Sequence, residues 1–465
     1  MHSVNFFSPF VLGIFSVFTI LIGVFLKEKN AKIFAILISV IGIIVSFVPL
    51  SIRLNQEALV ANPAPILFIS WAYHFILAVI TISSIIIIAS DKRSSVNRFE
   101  IYPILLLSLS GMLFAVFAEN VIGIYLGLEL TSIAGYIIAS LNKEDAKSNE
   151  ASMKYFIIGA VSSCLMIYGI SLIYGFSGGN FNISEVDFSI LDANKFGLTI
   201  GFLLFACGLF FKTTTFPFHV WAPDVYSGIN TSSLSFLSIA PKITAFFVLF
   251  KILIFQLPHI AFAMNIFQTI IGVLAGISMI IGAVGAIRQT SIKKILAYSG
   301  IVHMGFVMAL FSTEYKLLLG FSVIYYFLIY TLINIGIFAI LASLKQNPAY
   351  KGDIKDLKGL HKSNPVLGFS LSVLMFSSAG IPPLAGFFVK YSVLALLIQN
   401  ENYLLTIVSI LASVVASFYY LRIIKNIYFD EVSQAFMETS KNKINIFLKF
   451  LILISILGNL IFVYI

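Results

Sequence analysis

The chain has 465 residues, of which 59% are hydrophobic and only 11% are charged. Soluble domains carry about 25% charged residues, so this composition excludes a soluble globular protein and indicates an integral membrane protein. The formal net charge of +9 does not indicate nucleic-acid binding, because the basic residues lie in short loops between apolar runs. Apolar runs of about 18 residues or more recur along the chain, which predicts an all-α, polytopic fold and not a barrel.

The apolar runs predict about 14 transmembrane helices when each is given about 20 residues. The first run has no basic segment before it and no small-residue cleavage site after it, so we expect a retained span and not a signal peptide. The predicted spans are 6–26, 33–50, 66–89, 101–118, 120–140, 155–176, 196–218, 230–254, 262–286, 295–312, 317–343, 365–399, 403–424 and 445–464.

The distribution of lysine and arginine predicts the orientation of the chain. With the N-terminus outside and the spans alternating, the inside segments hold 21 basic residues and the outside segments hold three, Arg53, Lys195 and Lys316. This excess on one side is the positive-inside signature. We therefore expect both termini on the outer, periplasmic side. The longest polar stretches, 177–195 and 344–364, are too short for a soluble domain, so residues 1–465 are predicted to form a single membrane domain.

Two of the predicted spans are interrupted. The span at 196–218 breaks near Thr213–Pro217, just after Lys212, and the span at 365–399 breaks at SSAGIPPLAGF, just before Lys390. The two breaks lie five spans apart. Interrupted helices in corresponding positions of two repeats are the best sequence indication of a transport site, which here predicts one repeat at about 101–254, a second at about 262–424, and flanking helices at both ends.

Four charged residues lie deep inside apolar runs: Glu129, Lys212, Lys242 and Lys390. A charged side chain at the centre of a membrane helix costs roughly 2.5–3.5 kcal/mol on insertion scales, so such residues usually serve function. An amine that loses its hydration can exchange a proton near neutral pH, and a nearby carboxylate or second amine modulates that exchange. The alternative for Glu129 is a structural ion pair or a hydrogen bond to a neighbouring hydroxyl group. For Lys212 and Lys390 the alternative is capping of a broken helix.

Weaker candidates surround these four. His303 has a side chain suited to a proton relay, although a hydrogen-bonded packing histidine fits the pattern equally. His219 and Asp224, near the inside surface, are candidates for proton access or for an ordinary loop, and Lys154 is a candidate to reach the same interior. Lys251, near a span end, is expected to extend toward the lipid headgroups.

The sequence offers no pattern for a cofactor. Cys164 and Cys207 each lie alone in an apolar run, and there is no CxxC or Cys/His cluster. A GxGxxG motif after a strand and a Walker A motif are likewise absent, so the sequence does not support metal, iron–sulfur or nucleotide binding within this chain.

Six segments of the chain carry recognisable motifs: LELTSIAGY, SMKYFIIGAVSSCLMIYGISLIYG, FKTTTFPFHVWAPDVYSG, APKITAFF, KKILAYSGIVHMGF and AGIPPLAGFFVK. In this order they resemble the antiporter-like membrane subunits of respiratory complex I (NADH:quinone oxidoreductase), and the resemblance covers roughly residues 100–420. The APK motif in the eighth predicted span, together with a lysine after the second break, resembles the subunit N type.

The resemblance implies 14 helices with two inverted five-helix repeats, and a proton-translocating role in the bacterial inner membrane. It implies that Glu129 is the acid partner, Lys212 the input lysine, Lys242 the central connector and Lys390 the output lysine. It also implies that NADH, FMN, iron–sulfur clusters and quinone are bound by partner subunits, with neighbouring membrane chains and lipid as contacts. Where the family often has Glu-Gly after DVY, this chain has Ser227-Gly228, so an acidic residue at that loop position is missing.

Three other classes of protein are consistent with the same sequence features. A subunit of a multisubunit cation/proton antiporter or membrane-bound hydrogenase would have the same fold. A self-sufficient secondary transporter would exchange ions alone, although no site for an organic substrate is evident. A structural spacer would keep the charges without pumping.

Overall fold

The computed structural model describes residues 7–49, 65–91, 97–142, 144–182, 193–255, 261–313, 317–347, 349–433 and 444–462. Across these ranges the regular structure is helical, apart from one isolated bridge between Ser291 and Asp353. This architecture follows from the composition, because in lipid a helix satisfies its backbone hydrogen bonds internally. The predicted all-α membrane fold is confirmed.

The helices are numbered in chain order. They are α1 (Phe7–Gly23), α2 (Glu28–Val45), α3 (Pro65–Ala89), α4 (Ile101–Phe117), α5 (Val121–Ala139), α6 (Ala146–Phe176), α7 (Lys195–Thr213), α8 (Trp221–Gly228), α9 (Thr231–Leu237), α10 (Ala240–Phe255), α11 (Ala261–Ile287), α12 (Ile292–Leu310), α13 (Leu317–Leu344), α14 (Leu360–Ser363), α15 (Pro365–Ala379), α16 (Ala385–Gln399), α17 (Tyr403–Phe429) and α18 (Ile446–Ile461), with a short 3₁₀ helix at Ile354–Leu357.

Every predicted span coincides with a helix or a pair of helices. Within the described ranges, nine spans have the length and apolar character needed to cross a membrane, and five further helices are apolar but shorter. The second and sixth spans were predicted about five and nine residues too late, because α2 begins at Glu28 and α6 at Ala146. The helix α2 begins at Glu28, because its first turns carry an ion pair of 2.9 Å between Lys32 and Glu28 that the apolar criterion excluded.

The span predicted at 230–254 is not one continuous helix. It consists of α9 and α10, with a turn at Ser238 and Ile239 between them. Pro241 has no backbone N–H and therefore cannot donate to the carbonyl of Leu237, which explains the interruption. The orientation of the spans stays a prediction, and two of the outside residues used for it, Arg53 and Lys316, lie beyond the described ranges.

Both predicted breaks are present. The helix α7 ends where Thr214 adopts a left-handed conformation (φ 59°), and the chain turns through Pro217 before α8 begins. The helix α15 ends at Gly380 (φ 85°), where a glycine is required for the left-handed backbone, and Pro382 and Pro383 precede α16. The Phe216–Pro217 and Pro382–Pro383 peptide bonds are cis. Each break lies beside one of the buried lysines.

Two cations fix helix ends elsewhere in the fold. Lys251 Nζ donates to Val116 O at 3.1 Å and to Ala118 O, at the C-terminal end of α4. The expected extension of Lys251 toward the headgroups is therefore wrong, because the ammonium group satisfies carbonyls that α4 leaves without partners. Arg422 does the same for α11, donating to Ile287 O and Gln289 O, both at 2.6 Å.

Candidate functional site

The first buried amine lies at the broken end of α7. Lys212 Nζ donates to Leu128 O at 3.3 Å and to Ser132 Oγ. These two residues lie on either side of Glu129 along α5, and Glu129 Oε1 accepts a hydrogen bond from Ser163 Oγ of α6. The Lys212 amine therefore contacts the turn of α5 that carries Glu129. Each of the two charged groups has a serine hydroxyl group as a hydrogen-bond partner. A proton leaving either group finds a hydroxyl within hydrogen-bond distance.

The second amine is the most isolated of the three. Lys242 is 1% exposed, and its Nζ has no hydrogen-bond partner in the described structure. The nitrogen lies 5.4 Å from the centroid of the Tyr226 ring, within the range of a cation–π contact. It also lies against Gly300 of α12, where an added Cβ would be 2.7 Å from Nζ. A buried polar group without a partner costs roughly 1–3 kcal/mol, so packing alone does not account for this lysine.

Other buried polar atoms without partners lie in the same segment of the chain as Lys242. Of the fourteen such side-chain atoms in the described residues, six lie in the segment 214–242. Buried polar groups in native interiors are usually satisfied by protein or by ordered water. Polar atoms of this segment, which joins the break in α7 to Lys242 along the chain, are therefore suited to bind ordered water. The six atoms are Thr214 Oγ1, His219 Nδ1, Trp221 Nε1, Ser233 Oγ, Ser238 Oγ and Lys242 Nζ.

A hydrogen-bonded chain on α12 contains His303, which is buried. Its Nδ1 lies 2.8 Å from Tyr326 Oη, and its Nε2 lies 3.3 Å from Tyr420 Oη. Tyr420 Oη is in turn 2.5 Å from Ser299 Oγ. Both ring nitrogens therefore face hydroxyl groups, which is the arrangement a relay needs. The same contacts would also satisfy both ring nitrogens of a packing histidine.

The third amine is at the second break. Lys390 Nζ donates to Ser378 O and Ala379 O, both at 2.9 Å, and to Ser413 Oγ at 3.3 Å. It also lies 5.5 Å from the centroid of the Phe306 ring. The lysine thus caps the C-terminal carbonyls of α15, as the structural alternative predicts, while a hydroxyl group of α17 lies within reach of the same nitrogen.

One face of α12 connects the second and third amines. Gly300 touches Lys242, His303 lies one turn further, and Phe306 touches Lys390. These positions are spaced by three residues, and a helix rises about 1.5 Å per residue, so the two contacts are about 9 Å apart along the axis. The structure therefore brings Lys242, His303 and Lys390 together along α12. Lys212 and the turn of α5 that carries Glu129 form a separate contact.

The remaining candidates lie at the surface. Asp224 is exposed and contacts Lys154 at 3.3 Å and Lys294 at 3.1 Å, and Lys154 also pairs with Glu150 at 2.7 Å. Lys154 therefore does not reach the interior. Partial burial opposes ionisation of Asp224, but hydrogen bonds from Lys294 and Lys154 outweigh it and hold the pKa of this carboxyl below its usual value.

Two further positions, His219 and Ser227, lie close to Asp224 along the chain. His219 is partly buried, and its Nδ1 has no partner in the described structure. At the departure from the family pattern, Ser227 Oγ donates to Asp224 O at 2.8 Å, which is a local turn contact and supplies no acid.

The sequence suggested a hydroxyl group as a possible partner of Glu129 without identifying Ser163, and it suggested no hydroxyl partner for Lys212, Lys390 or His303. Tyr326 and Tyr420 are two of 20 tyrosines, and both lie in apolar helices where nothing in the local pattern distinguishes them. Ser132 and Ser163 lie within the motifs that carry the family resemblance, so those motifs offered a signal for them. No sequence signal identified Ser413, because its contact with Lys390 depends on how α16 packs against α17.

Comparison with known proteins gives a consistent result. Residues 118–418 match the family model described as NADH:quinone oxidoreductase/Mrp antiporter, TM. The chain is 38% identical over 453 residues to NADH-quinone oxidoreductase subunit N of Pelagibacter ubique, covering 95% of this chain and 93% of that protein. It is 39% identical over 367 residues to NADH-quinone oxidoreductase subunit N of Rickettsia bellii, covering 77% and 78%.

Solved structures share the fold at low sequence identity. A chain of respiratory complex I from Thermus thermophilus, solved with bound aureothin, aligns with a TM-score of 0.76 at 23% identity, covering 98% of both chains. A chain of the Mrp complex from a Dietzia species aligns with a TM-score of 0.82 at 16% identity, covering 99% of this chain and 95% of that one. Because both kinds of complex contain this fold, it is the sequence similarity that distinguishes between them.

Proposed function

This chain belongs to the NADH-quinone oxidoreductase subunit N family, and we propose that protons cross it through Glu129, Lys212, Lys242, His303 and Lys390. The chain is a multi-pass membrane subunit of the proton-translocating NADH:quinone oxidoreductase. Lys212 accepts protons at the input side, Glu129 modulates its proton affinity, Lys242 connects the two halves, His303 relays, and Lys390 releases protons at the output side.

The observation that carries this proposal is the array along α12. Three lysines, each costly to place in a membrane interior, are all buried, and a single helix face links Lys242 through His303 to Lys390. Two unrelated packing lysines would have no reason to contact the same helix less than two turns apart, on either side of a buried histidine. The segment 214–242, which joins the break after Lys212 to Lys242 along the chain, carries six buried polar atoms without partners, and such atoms are usually satisfied by ordered water.

The interaction energy between two buried charges is similar to the energy needed to move a proton against the membrane potential. At an effective dielectric constant of about 20, two unit charges about 9 Å apart, which is the axial spacing of the two lysine contacts on α12, interact by roughly 1.8 kcal/mol. Moving one charge against 100 mV requires about 2.3 kcal/mol. A short series of such steps is therefore sufficient in size: protonation of Lys212 changes the proton affinity of Lys242, which in turn affects Lys390.

The partners and cofactors follow from the same proposal. We assign NADH, FMN, the iron–sulfur clusters and quinone to partner subunits, so electrons pass outside this chain and coupling arrives through neighbouring membrane subunits. The chain lies in the bacterial inner membrane with both termini on the periplasmic side, as the excess of inside lysine and arginine indicates.

The proposal includes two inverted repeats, residues 101–254 and 262–424. The paired helix-end contacts support it. Lys251 bonds carbonyls that lie 135 and 133 residues earlier in the chain, and Arg422 bonds carbonyls at the same two separations. Each cation belongs to the last helix of a proposed repeat, and each caps the first helix of that repeat.

Substitution of the lysines in the assembled enzyme tests the function. We expect Lys212→Ala and Lys390→Ala to abolish or strongly lower the number of protons pumped per NADH oxidised in proteoliposomes, while the complex still assembles. Lys449→Ala, an exposed lysine of α18, is the control. Unchanged pumping stoichiometry in both alanine variants would reject the proposal and favour a structural spacer. Ion exchange by the isolated chain would instead favour a self-sufficient transporter.

A further inference from the structure

The C-terminal helix α18 lies outside both proposed repeats, yet it contacts the break beside Lys390. Asn459 of α18 is fully buried, and its Oδ1 accepts a 2.6 Å hydrogen bond from Ser377 Oγ in the last turn of α15. The other side of the amide is fixed as well, because Nδ2 donates to Ser455 O at 2.8 Å. A buried amide with both ends engaged has a single defined orientation.

Ser377 is the residue at which the two halves of the broken helix meet. Its Oγ accepts a hydrogen bond of 3.2 Å from the backbone N–H of Gly386, in the first turn of α16, while its own proton goes to Asn459. The backbones are in direct contact at this point, because a Cβ added to Gly386 would lie 1.8 Å from Ser377 O. Ser377 is therefore held by α16 on one side and by α18 on the other.

The two residues that follow Ser377 hold the amine. Ser378 O and Ala379 O are the main-chain acceptors of Lys390 Nζ, each at 2.9 Å. A displacement of Ser377 would move both carbonyls, because they belong to the same final turn of α15. The position of the Lys390 ammonium group therefore depends on how firmly Ser377 is anchored.

We propose that Asn459 is a positioning residue for proton exchange at Lys390, acting through Ser377 and the carbonyls of Ser378 and Ala379. This inference rests on the function proposed above for Lys390. It makes α18 a component of the output site, although the sequence places this helix in a flanking position. The chemistry requires no additional group, since Asn459 does not titrate and only fixes the geometry of the amine's partners.

Variants in the assembled, reconstituted enzyme test the inference. Asn459→Leu removes the acceptor at similar volume, and Ser377→Ala removes the hydroxyl group itself. We expect each to lower NADH-driven proton pumping by about two- to tenfold, the range for loss of one buried hydrogen bond, and to displace the pH profile of pumping. The double variant should be no worse than the stronger single variant, because both remove the same link.

Ser455→Ala is the matched control. Ser455 is equally buried one turn earlier on α18, and its hydroxyl group donates only to Leu451 O of the same helix. We expect this variant to leave the pH profile unchanged. If the Asn459→Leu complex fails to assemble, the result for Ser377→Ala decides whether the positioning role holds. This smaller substitution removes only one oxygen atom and is therefore less disruptive to assembly.

A wild-type pH profile in Ser377→Ala, or additive effects in the double variant, would overturn the positioning role. Lys390→Ala, measured in parallel, distinguishes failure of the role proposed for Lys390 from failure of the role proposed for Asn459. If Lys390→Ala pumps normally, the function proposed for Lys390 fails. If Lys390→Ala is defective and Ser377→Ala is normal, only the role of Asn459 fails.

Discussion

Lys242 and Gly300 are in direct contact: a methyl group added at the glycine would lie 2.7 Å from the lysine nitrogen. The contact joins α10, in the first proposed repeat, to α12, in the second. It places the amine that lacks hydrogen-bond partners at the boundary between the two halves. A change in the charge or position of Lys242 therefore acts directly on α12, the helix that carries His303.

Gly300→Ala tests this contact. The added methyl group must displace the end of the Lys242 side chain, whereas alanine favours the helix itself by about 1 kcal/mol over glycine. We expect normal assembly and a decrease in proton pumping of about tenfold or more, as for a displaced catalytic group. Gly175→Ala, at a helical glycine with open space around it, is the control. Normal pumping in Gly300→Ala would show that the position of Lys242 does not matter.

Ser132→Ala tests how the Lys212 amine is held. The substitution removes one of its two partners and leaves only Leu128 O, which is 3.3 Å away. Because under-satisfaction of a buried polar group costs roughly 1–3 kcal/mol, we expect pumping to fall by at least about fivefold. Ser152→Ala, in which the lost hydroxyl group donates only to Asn149 O at the surface, should behave as wild type. Equal rates in the two variants would contradict a role for Ser132.

His303→Gln distinguishes a relay from a packing residue. Glutamine can hydrogen-bond Tyr326 or Tyr420 but does not titrate near neutral pH, so it preserves structure without proton exchange. We expect the variant to assemble with normal thermal stability and to lose most NADH-driven pumping. If His303→Gln instead pumps at the wild-type rate while His303→Ala is unstable, His303 is a packing residue and α12 carries protons by another route.

The helical architecture was predictable because burial of apolar runs and the cost of charge in lipid act locally along the sequence. Lys212, Lys242 and Lys390 were identifiable for the same reason, as were the breaks at Pro217 and at Pro382. The partners of these lysines were not predictable, since Ser132 is 80 residues from Lys212 and contact between them depends on helix packing. Asn459 lies 82 residues from Ser377, and its apolar helix suggested only a flanking span.

Lys251→Met and Arg422→Met test the paired helix-end contacts. Each substitution leaves two carbonyls without their charged donor, and hydrogen bonds to charged groups contribute about 1.5–3 kcal/mol each. We expect both variants to lower the thermal stability of the assembled complex by a similar amount, because the two proposed repeats would place the contacts at equivalent positions. Lys449→Met, which alters an exposed lysine of α18, should have no effect. A large loss in one variant and none in the other would argue against equivalent positions in two repeats.

Asp224→Asn tests the partly exposed ion pairs of Asp224 with Lys154 and Lys294, which link α6 and α12 through α8. The pairs are partly exposed, so the expected loss is less than about 1 kcal/mol and should vanish at high salt. The carboxyl has a lowered pKa in the folded protein, so its contribution is present above the unfolded pKa of about 3.9 and is lost as the pH falls through the folded value. Thermal stability of wild type and variant should therefore differ slightly at neutral pH in low salt and converge on acidification. A difference that persists in 1 M salt would mean that Asp224 acts through geometry and not through charge.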